Sequence, residues 1–236
     1  MAPTLDELKK VCFSGNHPMN VYRNVSIRIT WLLIHLPVSA NFMTLFWIVL
    51  GITGAFLLGS SLYMYRVLGA FFIFLMPILD FVDGELARWR GTYSPHWGYL
   101  DWVGYWIMHL VALISLTYHF ASTNPDYYLV GFLALFAFSM YEFVRLHQFR
   151  IVTNKNKLPP TRTRYPLIYR LYLVIRAGLL FEYIPLLLLV FALLDILQVY
   201  LFYFVIVFNC FWITKVAYEF FFGYKRTTGG VRSHAK

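Results

Sequence analysis

Charge is scarce in this chain. Asp, Glu, Lys and Arg together make up 13% of the 236 residues, against 60% apolar and 20% aromatic residues, a balance that excludes an ordinary soluble domain and points to an integral membrane protein. Cysteine is scarcer still. Cys12 and Cys210 are too few for a disulfide framework, and Cys210 sits in an apolar run, so neither a secreted scaffold nor a zinc centre is supported. The N-terminal stretch MAPTLDELKK has no apolar core and is not expected to act as a cleavable signal peptide. No internal repeat is present.

Apolar runs separated by short polar links make up most of the chain. Residues 1–18 carry both charge signs and the breakers Pro3, Gly15 and Pro18. From residue 20, Val25, Ile29, Leu32 and Leu36 recur at helical spacing, while Asn20, Asn24, Arg28 and His35 share the opposite face. That pattern predicts an amphipathic helix lying in the membrane interface, with Arg23 and Arg28 near anionic lipid. Pro37 ends it, and Ser39 or Asn41 is placed to cap the next helix. Spans are then expected over about 41–58, 67–80, 98–119, 127–143, 179–197 and 199–222. The fold class is therefore all-α integral membrane: residues 1–40 form a cytoplasmic lead and interfacial helix, 41–222 a six-helix membrane domain and 223–236 a basic flexible tail.

The net charge of +9 would suggest nucleic acid in a soluble protein, but six spans with the N-terminus inside put 1–40, 84–97, 145–176 and the tail on one side. Of the 20 Lys and Arg, Arg66 alone falls opposite, and Lys215 lies within the last span. So large an asymmetry is positive-inside bias; it orients the chain with these segments in the cytoplasm, predicts a lipid bilayer partner and no nucleic acid, and is satisfied by an inner (plasma) membrane or one like the endoplasmic reticulum.

Against this apolar background stands Asp80-Phe81-Val82-Asp83-Gly84-Glu85-Leu86-Ala87-Arg88, followed by Trp97-Gly98-Tyr99-Leu100-Asp101. Asp80 and Asp83, three residues apart, share one face of a helix at the end of a span. Ionised carboxylates there are costly unless they pair or bind a cation, and hard oxygen ligands favour Mg²⁺, Mn²⁺ or Ca²⁺. The string Asp-x-x-Asp-Gly-x-x-Ala-Arg, then eight residues, then Gly-x-x-x-Asp-x-x-x-Asp resembles the signature of the CDP-alcohol phosphotransferases. The chain matches at Asp80, Asp83, Gly84, Ala87, Arg88 and Asp101; the second Gly falls on Trp97, with Gly98 one place late, and the last Asp falls on Tyr105.

The resemblance implies a membrane enzyme that moves a substituted phosphate from a CDP-linked donor, CDP-diacylglycerol or a CDP-alcohol, to an alcohol acceptor with release of CMP, working as a homodimer. It implies Mg²⁺ or Mn²⁺ held by Asp80, Asp83 and Asp101, with Gly84, Ala87 and Arg88 beside the nucleotide. Asn41 and Thr44, at the start of the first span, are candidate nucleotide contacts or else capping and packing residues. Tyr105 stands where the family's proton-accepting Asp is expected, and a phenol is a poor base at neutral pH. His109, one turn on, and His96 are candidate replacements, although 12 Å or so of helical rise keeps His109 from sharing a metal with Asp101. Glu85 points roughly 200° away from Asp83 around the helix. A second constellation, Tyr141, Glu142, Arg145 and His147 with Lys215 and Glu219, reads either as ion pairs or as an anion pocket. Two rival readings remain: a catalytically reduced relative that binds CDP-lipid or a partner enzyme, motivated by Tyr105, and a prenyltransferase, disfavoured by the Gly-x-x-Ala-Arg continuation and by the lack of a second Asp-x-x-Asp pair.

Overall fold

The computed structural model describes residues 4–12, 20–154 and 183–218, and among them all regular structure is helical. A short helix α1 (Leu5–Cys12) and the amphipathic α2 (Asn20–Leu33) precede three long helices, α3 (Ala40–Leu57), α4 (Tyr63–Arg90) and α5 (Pro95–Ala121). Helix α6 (Tyr127–Asn154) comes next, then the shorter α7 (Ile184–Leu193) and α8 (Gln198–Tyr203), a π-helical turn at Phe204–Phe208, and α9 (Asn209–Tyr218). Among the described residues, five helical stretches, Ala40–Leu57, Tyr63–Arg90, Pro95–Ala121, Tyr127–Leu146 and Gln198–Ala217, are long and apolar enough to cross a membrane. The chain is thus an all-helical integral membrane protein, because in lipid a helix satisfies its own backbone groups.

Local chemistry accounts for the starts and stops. Ser39 caps α3, its hydroxyl accepting from Phe42 N at 3.1 Å, so of the two capping candidates Ser39 takes the role. The second span and the acidic motif prove to be one unbroken helix of 28 residues, which ends where Gly91 takes φ +63°. Helix α5 begins at Pro95, earlier than the expected 98, so His96, Trp97 and Gly98 sit in its first turns and not in a loop. Helix α6 runs past 143 to Asn154, into the polar stretch; the rest of that stretch, 155–176, lies outside the described residues. Within the expected fifth span the described part is the ten-residue helix α7, and α8 begins after a turn at Asp195. Glu219 and the tail also lie outside the described residues.

Helices α3, α4 and α5 form the centre of the bundle, with Trp47, Ile73, Met76, Met108 and Leu116 buried between them and Phe138, Phe204 and Phe208 closing the far side. Two devices tie the bundle together at its ends. At one end Arg66, 8% exposed, reaches Asp195 at 2.7 Å and the carbonyls of Ser60 and Ser61, joining the α3–α4 turn to the α7–α8 turn. At the other, Arg90 donates to the carbonyls of Val38 and Leu36 and so holds the turn between α2 and α3. Helix α2 lies against α4, while Val25, Leu32 and Leu36 of its apolar stripe face outward. Its buried contacts include two hydroxyls, Ser26 and Thr30, placed between the two faces read from the sequence.

Candidate active site

Helix α4 carries Asp80 and Asp83 on one face, and α5 brings Asp101 opposite, so that one carboxylate oxygen from each lies within 4.8 Å of the others. Three carboxylates from two helices are thereby gathered where they repel one another unless a cation or a proton intervenes. Asp83 is the most enclosed, at 8% exposure. Helix α3 supplies it with two donors: Thr44 Oγ1 at 2.6 Å and the Trp47 indole Nε1 at 2.9 Å. Those donors set the direction in which the carboxylate presents its free oxygen. Anionic oxygens held this close, with one ligand pre-oriented, are the donor set of a hard divalent ion, and the three Asp fit one.

A cavity of about 210 Å³ opens beside the cluster, lined by Asp80, Asp101, Trp102, Tyr105 and Arg145. Tyr105 thus reaches the same wall as the acids. Behind the motif, Arg88 folds back one turn over Gly84, where a Cβ would come 3.2 Å from its Nη1. The absence of a side chain at 84 leaves that room. Arg88 is exposed, and Ala87 packs with Ala40, Met43, Val82 and Leu86 on the α3 side. Asn41 is half-buried at the start of α3, and the Thr44 hydroxyl is committed to Asp83.

His109 is placed differently. It is buried, 1% exposed, with its ring against Tyr105, Phe138 and Phe204 at 4.3, 5.3 and 6.4 Å between centroids. Its Nδ1 lies 3.0 Å from the Tyr105 carbonyl, which accepts, so Nδ1 carries the proton and Nε2 is left without a hydrogen-bond partner among the described residues. His109 does not line the cavity, whereas Tyr105 does. His96 is exposed in the first turn of α5, outside the lining. In the second constellation Arg145 Nε is 3.4 Å from Glu142 Oε2, and Tyr141 packs edge-on against Phe208. Lys215 is buried; the His147 side chain and Glu219 lie outside the described residues.

Several contributing residues escaped the motif. Trp47 is one turn from Thr44 on the same face, a signal that becomes visible only when Asp83 is known to face α3. Glu85, which points away from Asp83 as its helical angle requires, is 1% exposed and accepts from Ser26 Oγ at 2.8 Å and Thr30 Oγ1 at 2.6 Å. That clasp joins α2 to the motif helix. Gly104 lets α5 approach α3: a Cβ there would sit 2.5 Å from Ile48 Cγ1. Small residues at helix contacts in membranes do this commonly.

A crystal structure of the phosphatidylinositol phosphate synthase of Mycobacterium tuberculosis with CDP-DAG bound has a similar fold, with a TM-score of 0.55, 16% sequence identity, and an alignment covering 83% of this chain and 92% of that one. No curated protein matches the chain in sequence. The family model described as CDP-alcohol phosphatidyltransferase matches residues 37–211, which takes in the acidic motif, the cavity wall and helices α3 to α6. With most of its length inside that match, the chain belongs to the CDP-alcohol phosphatidyltransferase family, transferases of substituted phosphate groups.

Proposed function

We propose that this protein transfers a substituted phosphate from a CDP-linked donor, CDP-diacylglycerol or a CDP-alcohol, to an alcohol acceptor and releases CMP, in a reaction that depends on Mg²⁺ or Mn²⁺. The observation that carries the reading is the convergence of Asp80, Asp83 and Asp101 beside a cavity that also contains Tyr105 and Arg145. The three carboxylates would hold the divalent ion, which when bound neutralises charge on the pyrophosphate and polarises the attacked phosphorus. Asp83 keeps its orientation through Thr44 and Trp47. Gly84 and Ala87 keep the helix surface low, and Arg88 holds a donor phosphate from the exposed rim; Asn41 borders the nucleotide. The acceptor occupies the cavity of about 210 Å³ beside the three carboxylates.

The wider setting belongs to the same proposal. Six spans, with residues 184–193 in the fifth, put the site, residues 1–40 and the tail in the cytoplasm, by positive-inside bias. Helix α2 lies in the interface, its outward apolar stripe in the headgroup boundary. The membrane domain extends over 41–222, the tail over 223–236, and two copies form a homodimer of the kind the family resemblance implies.

The test is CMP release by purified protein in detergent with Mg²⁺ or Mn²⁺, supplied with CDP-diacylglycerol or CDP-choline and pooled alcohols. Metal-dependent release that needs one alcohol is expected, and Asp80→Asn and Asp83→Asn should each reduce it below about 1% of wild type, the scale of losing a ligand that acts on transition-state charge. An Asp83→Asn protein with full activity would sink the proposal. A second reading, a relative that binds CDP-lipid without turnover, is favoured by Tyr105 alone; metal-dependent CDP-lipid binding with no CMP release would establish it.

A further inference from the structure

The motif helix α4 is gripped from two sides within three residues. On one side Asp83 accepts from Thr44 and Trp47 of α3. On the other, Glu85 gives each of its oxygens to a hydroxyl of α2: Oε1 accepts from Ser26 Oγ at 2.8 Å and Oε2 from Thr30 Oγ1 at 2.6 Å. Glu85, Ser26 and Thr30 are all buried, with exposures of 1%, 0% and 0%. Arg90, farther along α4, donates to the carbonyls of Leu36 and Val38 and so ties the same helix to the α2–α3 turn. Packing alone does not need these bonds, since an apolar residue of similar size would be at least as stable as a carboxylate inside the bundle. Apolar contacts tolerate a small turn of a helix about its axis, whereas hydrogen bonds weaken steeply as they lose alignment. What the carboxylate adds at 85 is therefore direction.

We propose that Glu85 is a positioning residue: clasped by Ser26 and Thr30, it fixes the rotation of α4 and thereby sets how Asp80 and Asp83 meet Asp101 around a divalent ion. The inference rests on the transferase reading above, and it gives Glu85 no contact with metal or substrate. Asp80 and Asp83 ride on α4, while Asp101 is carried by α5, so any turn of α4 moves two ligands against the third. Side-chain tips lie about 5–6 Å from a helix axis, and a turn of about 10° therefore shifts a carboxylate oxygen by about 1 Å. Metal–ligand distances tolerate only about 0.2 Å. A clasp on the far face of α4, two residues from Asp83, removes that freedom. Helix α2 thus belongs to the construction of the metal site as well as to the membrane interface.

The experiment compares wild type, Glu85→Leu, Glu85→Gln and the double variant Ser26→Ala/Thr30→Val, each purified in detergent. Mn²⁺ binding is titrated by electron paramagnetic resonance without substrate, Tm is measured by thermal unfolding, and CMP release is followed as a function of Mn²⁺. Glu85→Leu and the double variant should each raise the Mn²⁺ Kd by about tenfold or more, the scale of losing a group that orients a metal ligand. Their Tm values should part: the double variant leaves a buried carboxylate without its donors and loses Tm, whereas Glu85→Leu loses little. In the latter, Ser26 Oγ still has the Arg23 carbonyl at 3.2 Å, and Thr30 turns to its own helix. Glu85→Gln should stay within about threefold of wild-type Kd, because its amide accepts from Thr30 and donates to Ser26. A clasp that only stabilises the fold predicts a fall in Tm with unchanged Kd. Kd within about threefold of wild type in both Glu85→Leu and the double variant, or a rise only where Tm falls, overturns the proposal; so does a Glu85→Gln as weak as Glu85→Leu. Wild type that binds Mn²⁺ but releases no CMP overturns the transferase reading and leaves the clasp judged by the Kd values. Wild type that binds no Mn²⁺ overturns both.

Discussion

Trp47 offers the sharpest test of how the acidic cluster is built. Asp83 receives two donors, Thr44 Oγ1 at 2.6 Å and Trp47 Nε1 at 2.9 Å, and Trp47 is fully buried, so no solvent stands ready to take its place. Trp47→Phe removes the indole N–H while keeping an aromatic ring. A hydrogen bond to a charged group contributes about 1.5–3 kcal/mol, and the smaller ring leaves a cavity, so a stability loss of about 2–4 kcal/mol is expected. Thr44→Val removes the other donor at nearly constant shape. Either change frees the Asp83 carboxylate to turn away from Asp80 and Asp101, and loss of such an outer partner weakens metal binding by about 10–100-fold. The assay is a titration of CMP release with Mg²⁺ or Mn²⁺, alongside thermal unfolding in detergent. The half-saturating metal concentration should rise by that factor in each variant, and the double variant should fall short of the product, because both bonds act on one carboxylate. Half-saturation within about threefold of wild type in both single variants, whatever the loss in Tm, would refute the idea that α3 orients the metal ligand.

Contacts away from that carboxylate carry further expected outcomes. Gly104→Ala should lower stability by about 1–3 kcal/mol, since its Cβ would sit 2.5 Å from Ile48 Cγ1 and 2.6 Å from Cδ1; Ile48→Ala in the same chain should recover part of the lost Tm, and no recovery would show that the close approach is not the cause. Arg66→Met should cost about 1–3 kcal/mol through the lost bonds to Ser60, Ser61 and Asp195, while Asp195→Asn, at an exposed partner, should cost at most about 1; equal losses in thermal unfolding would contradict this split. Cys12, enclosed between α1 and the motif helix with its thiol directed at the Glu85 carbonyl, has its pKa raised by burial. A raised folded value means that docking of α1 is fully supported below the unfolded thiol pKa of about 8.5 and is lost as pH rises above it. Alkylation of Cys12 should therefore be at least about tenfold slower in folded than in denatured protein at pH 8, with the gap narrowing at higher pH; equal rates at pH 8 would count against the docked helix.

The residues alone dictate the solvent in which this chain folds and the chemistry at its centre. Long apolar runs with charge confined to their links can satisfy their backbone in lipid only as helices, and a spacing of three puts Asp80 and Asp83 on one helical face whatever the rest of the chain does. The same angular logic turns Glu85 away from them. What it turns toward was not legible: Ser26 and Thr30 meet Glu85 only because α2 lies along α4, with those hydroxyls inward and the apolar stripe of Val25, Leu32 and Leu36 outward. Helix ends shifted for local reasons, as when α5 began at Pro95 and α6 continued to Asn154 past the last strongly apolar residues. It took the packing of the helices to bring Trp47 and Thr44 to Asp83, to leave Tyr105 at the cavity while His109 is enclosed by rings, and to bury Glu142. Periodicity fixes a side chain's angle on its own helix, but which neighbour it meets depends on how far that helix is rotated and how closely it packs, and contacts such as Gly104 against Ile48 set both.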